Sequence, residues 1–162
     1  ATAVLDGGLQ RWQRPLAFDT PGIPSPSNYQ PKQALTRLWQ VQEVEHNLNQ
    51  PTHQLVDARS AERFRGEQEP IDPVAGHIPR AICLPCTDNL APSGLFKTAE
   101  DLRQRFADLL DTHTVCYCGS GVTATHNILA MRLAGLAEPV LYADSWSGGI
   151  TDSHRPIALS DP

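Results

Sequence analysis

The sequence lacks the long apolar segment that would mark a membrane span. None of its hydrophobic runs approaches the roughly 18 residues that a transmembrane helix needs. No basic-then-apolar signal opens the chain, although a removed signal would leave no trace in it. No cluster of Lys and Arg forms a basic stripe, and the formal net charge is −5. We therefore expect neither a membrane nor a nucleic acid among the partners.

Cysteine is also scarce. Four cysteines occur in two close pairs, Cys83 with Cys86 and Cys116 with Cys118. Because this is not the density of a disulfide-stapled secreted domain, we predict a reducing compartment, the cytoplasm. A chain of 162 residues that is 40% hydrophobic can bury a core without such staples. The length fits one domain, or one domain with a piece of another.

Prolines concentrate near the start of the chain, at Pro15, Pro21, Pro24, Pro26 and Pro31. Proline at this density is incompatible with continuous helix or sheet, so residues 15–32 are predicted to form an extended linker. The main domain then covers residues 33–162.

The segment before the linker, residues 1–14, resembles the tail of another domain. It predicts a short strand that ends in a turn at Gly7 and Gly8, followed by a helix-like stretch over 9–14. Residues 4–12 can be overlaid on residues 141–149, which suggests tandem copies of one domain. Coincidence in a short glycine-containing stretch is the alternative.

Helical and strand patterns alternate after the linker. Helices are predicted over 34–48, 60–64, 98–110 and 122–134, and strands over 54–57, 81–84, 114–117 and 140–142. This alternation predicts an α/β protein with a central parallel sheet flanked by helices.

The segment around Cys118 carries the chemistry. The third predicted strand ends there, and Gly119, Ser120 and Gly121 lead into the next helix. Parallel sheets bind ligands at the carboxyl ends of their strands, and glycine-rich turns aim backbone amides at anions. A thiol in such a place loses its proton more easily, so we predict that Cys118 is a thiolate nucleophile.

Structural roles for the cysteines are the alternative. We assign that role to Cys116 and expect its side chain on the opposite face of the strand. Together, the two cysteine pairs could also bind zinc. We consider a zinc module less favoured, because Pro85 follows a strand end and a Cys-x-Cys pair leaves no turn to wrap the metal. No metal site or cofactor is predicted.

Residues 118–123, Cys-Gly-Ser-Gly-Val-Thr, resemble the active loop of the rhodanese superfamily, a three-layer α/β fold. The neutral pair after the cysteine resembles the 3-mercaptopyruvate sulfurtransferase class, whereas thiosulfate-preferring members carry basic residues there. Four further segments match the family: 57–66, 76–81, 145–147 and 155–156. The resemblance covers residues 33–160, and residues 1–14 resemble the end of the inactive N-terminal domain of two-domain members.

The resemblance implies a sulfurtransferase in which Cys118 takes sulfur from a small donor as a persulfide. A thiol then accepts that sulfur, on a thioredoxin-like protein or a small molecule, or cyanide does. Ser120 is implied as the proton-relay partner, and Arg63 as the group that pairs with the donor carboxylate. The amides of Gly119, Gly121, Val122 and Thr123 would stabilise the persulfide.

Two further residues of the family segments, Asp57 and His77, are expected to have structural roles. We expect their side chains to hold loops in place through hydrogen bonds.

Several positions depart from the family. A second arginine usually follows the first by nine residues, but Asp72 stands there, and Arg65 is a possible substitute. Cys83 replaces a usual asparagine, and Gly149 replaces a usual tryptophan, which we expect to open the pocket rim. The N-terminal domain that would complete the pocket in two-domain members is expected to be a missing partner.

Two rivals share the fold. A rhodanese-like phosphatase needs an arginine a few residues after its cysteine, and Ala124 occupies the corresponding place. A non-catalytic binding domain usually lacks the cysteine altogether. Thiosulfate sulfurtransferase activity by the same mechanism is a further alternative.

Overall fold

A computed structural model describes residues 3–16, 18, 22, 26–28, 30, 32, 34 and 36–160. The chain divides into two units, residues 1–35 and residues 36–162. None of the described helices is long and apolar enough to cross a membrane.

The first unit contains the expected glycine turn. Gly7 and Gly8 have φ angles of +82° and +63°, and a 3₁₀ helix, Leu9–Arg11, follows. The predicted strand before the turn is wrong: Val4 and Leu5 are exposed and not assigned to a strand. The helix-like stretch is limited to that single turn. Much of the predicted proline-rich linker, including Pro21, Pro24 and Pro31, lies outside the described residues.

The second unit is built on a five-stranded parallel sheet. The strands are β1 Leu38–Trp39, β2 Gln54–Asp57, β3 Ile82–Cys83, β4 Thr114–Tyr117 and β5 Val140–Tyr142. Their order in the sheet is β1-β5-β4-β2-β3, and every pairing is parallel. The predicted α/β class is confirmed, and β4 lies at the centre of the sheet.

Helices flank the sheet. They are α1 Val41–Asn49, α2 Ala61–Phe64, α3 Ala99–Arg105, α4 Ala124–Leu133 and α5 Ser145–Gly149. Two short 3₁₀ helices, Cys86–Asn89 and Ala107–Leu109, lie on either side of α3 in the chain. Gly135 ends α4 with φ +81°, as its position predicts.

Several element boundaries differ from the prediction. The helix predicted from residue 34 begins at Val41, because Leu38 and Trp39 pair with β5 as an edge strand. The Glu43 side chain then accepts a hydrogen bond from the Gln40 amide in a capping box. The helix predicted from 122 begins two residues later, and the one predicted over 98–110 ends at Arg105. Helix α5 was not predicted.

The core has two apolar clusters. One contains Cys116 and Cys118 with side chains of α3 and α4, and the other contains Val115 and Tyr117 with Trp146 of α5. The expectation that Cys116 faces away from Cys118 is therefore wrong. Side chains two residues apart along a strand lie on the same face.

Candidate active site

Cys118 follows β4 directly and is 2% exposed. Its amide donates a hydrogen bond to Oγ of Ser145 at 3.0 Å, and its carbonyl accepts one from the amide of Trp146 at 3.0 Å. Ser145 Oγ in turn donates to the Tyr142 carbonyl at 2.9 Å. The carboxyl end of β5 and the start of α5 thus hold the cysteine backbone in place.

The loop after the cysteine, residues 119–123, turns at Gly121. That glycine has φ +80° and packs against the backbone of Ala143. The Gly119 carbonyl accepts a hydrogen bond from the Ser147 amide at 2.9 Å. Within the described part of the chain, the amides of residues 119–123 donate to no acceptor. Five amides of one loop are therefore available to an anion beside the thiol.

The other predicted loop residues occupy different environments. The Ser120 side chain and the side chains of Val122 and Thr123 are exposed, Val122 to 72%. Ser120 lies two residues beyond Cys118 in the chain, and its exposed side chain is accessible to solvent.

The neighbouring thiols differ from Cys118 in their surroundings. Burial, with a smaller contribution from Cys118, raises the pKa of Cys116 to about 12. Burial and the nearby sulfur of Cys118 also raise the pKa of Cys86, which packs against the same apolar cluster. None of the four cysteines forms a disulfide bond within the described residues. The sequence did not place Cys86 near the site, because α3 and β4 separate it from Cys118 along the chain.

Arg63, at the end of α2, lies against the loop. A Cβ built on Gly119 would lie 3.6 Å from its NH1 and 3.7 Å from its NH2. Two carboxylates hold the guanidinium: NH2 donates to Glu69 at 2.6 Å and to Asp72 at 3.1 Å, and Nε also donates to Glu69. NH1 donates no hydrogen bond to the described residues. The structure thus brings Arg63 to the loop, with one nitrogen available on that side.

Asp72 links the arginine to helix α5. Its second carboxylate oxygen accepts a hydrogen bond from Ser147 Oγ at 2.7 Å. The family's second arginine would stand at this position, and a carboxylate replaces it. Arg65, the possible substitute for that arginine, is ion-paired with Glu67 at 2.8 Å.

Glu69 joins Arg63 to a second, deeper arginine. Burial alone would raise the pKa of Glu69, but hydrogen bonds from Arg63 and from backbone amides lower it below its usual value. Arg59 NH1 donates to Glu69 at 3.3 Å, and Arg59 NH2 donates to Asp57 at 2.7 Å. The side chains of Arg59 and Asp57 are 1% and 0% exposed. Their ion pair forms a rigid support beneath the site.

Loop-holding hydrogen bonds occur at both residues expected to make them. Asp57 accepts from the amide and the guanidinium of Arg59, which also donates to the Gly76 carbonyl. His77 Nδ1 lies 2.7 Å from the Phe64 carbonyl oxygen, with its ring stacked on that of Phe64.

The position of Gly149 does not open the surroundings of Cys118. Gly149 lines a mainly apolar cavity of about 180 Å³ between α1, β5 and α5. Tyr142 and Trp146 also line this cavity, and no residue of the 118–123 loop does. Among the described residues, no group of three or more His, Cys, Asp or Glu side chains could hold a metal ion.

The fold and the site define a class: a parallel α/β domain that presents a buried cysteine in a loop of unpaired amides at a strand's carboxyl end. Residues 40–151 match the model of the rhodanese-like domain family, and the chain belongs to this family. It is 48% identical to a probable 3-mercaptopyruvate sulfurtransferase of Pseudomonas aeruginosa, over 98% of this chain and 58% of that protein. It is 36% identical to human 3-mercaptopyruvate sulfurtransferase, over 90% of this chain and 52% of the human protein.

Other relatives carry a different name. The chain is 34% identical to mouse thiosulfate sulfurtransferase, over 90% of this chain and 52% of the mouse protein. It therefore spans about half the length of the curated relatives it matches. Among solved structures, Tum1 of Saccharomyces cerevisiae superposes with a TM-score of 0.67 at 26% identity, over 76% of this chain and 46% of Tum1. Wild-type EanB superposes with a TM-score of 0.83 at 21% identity, over 98% of this chain and 42% of EanB, and shows the shared fold.

Proposed function

We propose that this chain is the catalytic domain of a sulfurtransferase that carries sulfur as a persulfide on Cys118. The observation that carries the proposal is a nearly buried thiol followed by five amides without an internal acceptor. Such a loop stabilises the negative charge of a thiolate and of a persulfide. The names of the relatives support the same reaction class.

The favoured donor is 3-mercaptopyruvate. The Cys118 thiolate attacks the donor sulfur, the carbon–sulfur bond breaks, and its electron pair leaves on the pyruvate enolate, which takes up a proton. The products are pyruvate and the Cys118 persulfide. Ser120, an exposed residue of the loop, is proposed to relay that proton. Arg63 offers NH1 to the donor carboxylate, and the loop amides 119–123 hold the sulfur charge.

The second half of the cycle needs an acceptor. A thiolate, on a thioredoxin-like protein or a small molecule, attacks the outer sulfur and Cys118 leaves as a thiolate. Cyanide accepts the same sulfur to give thiocyanate. No cofactor enters either step. We further propose a reducing compartment, the cytoplasm, because the low density of cysteine is not that of a disulfide-stapled domain.

A further domain is proposed to cover the site. Val122 in the loop is 72% exposed, and Ile71, next to Asp72, is 74% exposed. Apolar side chains at the rim of a site suit a surface that another domain covers. We propose an N-terminal rhodanese domain as this partner, with residues 1–14 as its tail and 15–32 as the linker.

The central experiment compares Cys118→Ser with Cys116→Ser in a transfer assay from 3-mercaptopyruvate to cyanide or a thiol. We expect Cys118→Ser to abolish turnover and the mass increase of a bound sulfur atom, while Cys116→Ser retains both. Turnover by Cys118→Ser would refute the proposal. An inactive wild-type chain that becomes active when joined to an N-terminal rhodanese domain would support both the persulfide and the domain proposals.

The donor assay separates the two enzyme classes. Thiosulfate sulfurtransferase activity is the alternative, favoured by the similarity to the mouse enzyme. We expect a higher kcat/KM with 3-mercaptopyruvate than with thiosulfate. Equal or reversed values would remove the keto-acid assignment and leave the persulfide mechanism in place. Failure of the wild-type chain to transfer sulfur from either donor, alone or joined to the second domain, would instead favour a non-catalytic binding domain.

A further inference from the structure

The arginine at the candidate donor site is outnumbered by carboxylates. Arg63 is 16% exposed and contacts Glu69 and Asp72, whose side chains are only 4% and 7% exposed. The second arginine of the region, Arg59, also contacts Glu69 at 3.3 Å but is paired with Asp57 at 2.7 Å. Two guanidiniums therefore face three carboxylates, and one negative charge is left over. The Arg63 guanidinium, which lies against the loop, is therefore surrounded by more negative than positive charge.

The same contacts fix the direction of the guanidinium. Nε and NH2 of Arg63 are held by Glu69, and NH2 also by Asp72. Asp72 is itself held by Ser147, whose amide donates to the Gly119 carbonyl. Arg63 thus lies against the loop and is also connected to it through Asp72 and Ser147. This arrangement leaves NH1 as the nitrogen able to bind a donor.

We propose that Asp72 is a specificity-determining residue that selects the sulfur donor by charge. It positions Arg63 so that a single nitrogen faces the loop, and its own negative charge disfavours a dianion such as thiosulfate more than a monoanionic keto acid. The proposal rests on the proposed sulfurtransferase function. It explains donor choice by a residue outside the neutral loop after Cys118.

The physical basis is the low exposure of the cluster. Charges that are partly buried are screened much less by salt than exposed ones. A dianion feels twice the repulsion of a monoanion from the same carboxylate, because Coulomb energy scales with the product of the charges. Removing the Asp72 charge should therefore favour thiosulfate over 3-mercaptopyruvate, even though both donors are anions.

The test is Asp72→Asn, which keeps the shape and can still accept the Ser147 hydrogen bond. We expect the ratio of kcat/KM for thiosulfate to that for 3-mercaptopyruvate to rise at least tenfold, mainly through a lower KM for thiosulfate. Asp72→Glu, which restores the charge, should return the ratio to within about threefold of the wild-type value. Glu67→Gln is the matched control, because it removes one negative charge from an exposed neighbour, 54% exposed, that pairs with Arg65.

A second measurement does not depend on turnover. Sulfate and pyruvate are unreactive mimics of the dianionic donor and the keto acid, and each should protect Cys118 from alkylation. In Asp72→Asn the sulfate concentration that gives half-protection should fall at least fivefold relative to that of pyruvate. A circular-dichroism melt confirms that the variant is folded before either comparison.

The outcomes are distinguishable from failure of the proposed function. An unchanged ratio in Asp72→Asn, or an equal rise in Glu67→Gln, overturns the selectivity proposal while sulfur transfer through Cys118 stands. If Asp72→Asn is inactive with both donors, the half-protecting concentration of sulfate relative to that of pyruvate decides. An unchanged value overturns the selectivity proposal, and a fall of at least fivefold supports it. If the wild-type chain forms no persulfide with any donor, the proposed function fails, and protection by the two anions still tests the charge effect.

Discussion

Replacing Gly121 by alanine tests whether the loop beside Cys118 depends on backbone close packing. Gly121 has φ +80°, a conformation that L residues with a Cβ rarely adopt. A Cβ built there would overlap the carbonyl oxygen of Ala143 and lie 3.1 Å from its carbonyl carbon and its Cα. These are backbone atoms that follow β5, so no side-chain rotation relieves the contact.

The magnitude follows from two effects. The left-handed conformation costs a non-glycine residue about 1–2 kcal/mol. Overpacking a close-packed region costs about 1–3 kcal/mol more. We therefore expect Gly121→Ala to lower the free energy of unfolding by about 2–5 kcal/mol. For a chain of this size each kcal/mol corresponds to about 3 °C, so the melting temperature should fall by roughly 6–15 °C.

Gly119→Ala is the matched control, two residues away in the same loop. Its backbone does not adopt a positive φ, and its new Cβ would make only ordinary contact with the Arg63 guanidinium at 3.6 Å. We expect a change in unfolding free energy below about 1 kcal/mol. Urea unfolding of both variants measures the difference.

Sulfur transfer gives a second readout of the same pair. A loop displaced by about 1 Å can lower kcat about 100-fold, so Gly121→Ala should lose activity even where it remains folded. If Gly121→Ala proves as stable as Gly119→Ala, the argument from backbone contact is wrong.

Three further predictions concern the surroundings of the site. Asp57→Ala should lower the unfolding free energy by about 3–5 kcal/mol, because it deprives the buried guanidinium of Arg59 of its closest carboxylate. A loss below about 1 kcal/mol in urea unfolding would contradict this. Since burial raises the pKa of Cys116 to about 12, iodoacetamide at pH 8 should leave that thiol unlabelled while Cys118 reacts. Peptide mass spectrometry of the labelled native protein measures this, and labelling of Cys116 before Cys118 would contradict it. Burial lowers the pKa of His126, so the unfolded chain binds the proton more readily than the folded chain does. The free energy of unfolding should therefore fall as the pH drops below about 6.5. Unfolding curves from pH 5 to 8 measure this, and the free energy of unfolding should depend less on pH in His126→Gln.

Most of the order of elements, and the position of Cys118 at the end of a strand, could be predicted from the sequence. Alternating patterns identified β2, β3, β4 and β5, and the residues Cys-Gly-Ser-Gly after β4 marked a strand-to-loop transition at a sheet edge. These features are local, because hydrophobic periodicity and glycine turns depend on neighbouring residues along the chain. The first strand, Leu38–Trp39, was missed because it falls within the helical pattern predicted over 34–48 and pairs only with the distant β5.

The same limit explains the errors at the two ends of the chain. Residues 3–6 have the composition of a strand end, but the described residues of their unit provide no strand for them to pair with. Helix α5 contains Gly148 and Gly149, which are poor helix formers, so propensity argued against it. The hydrogen bonds from the amides of Trp146 and Ser147 to the carbonyls of Cys118 and Gly119 hold the start of α5 in place. Tertiary contacts of this kind override local preference.

By itself, then, the amino-acid sequence determined the α/β class, the cysteine at the strand end and the neutral glycine loop, since each depends on residues close together in the chain. Only the tertiary structure decided what faces that loop. It placed Arg63 beside Gly119, closed Glu69 and Asp72 around the arginine, and brought Cys86 near Cys118. These groups come from different strand ends and loops, and their side chains meet only because parallel strands direct their carboxyl ends to one edge of the sheet.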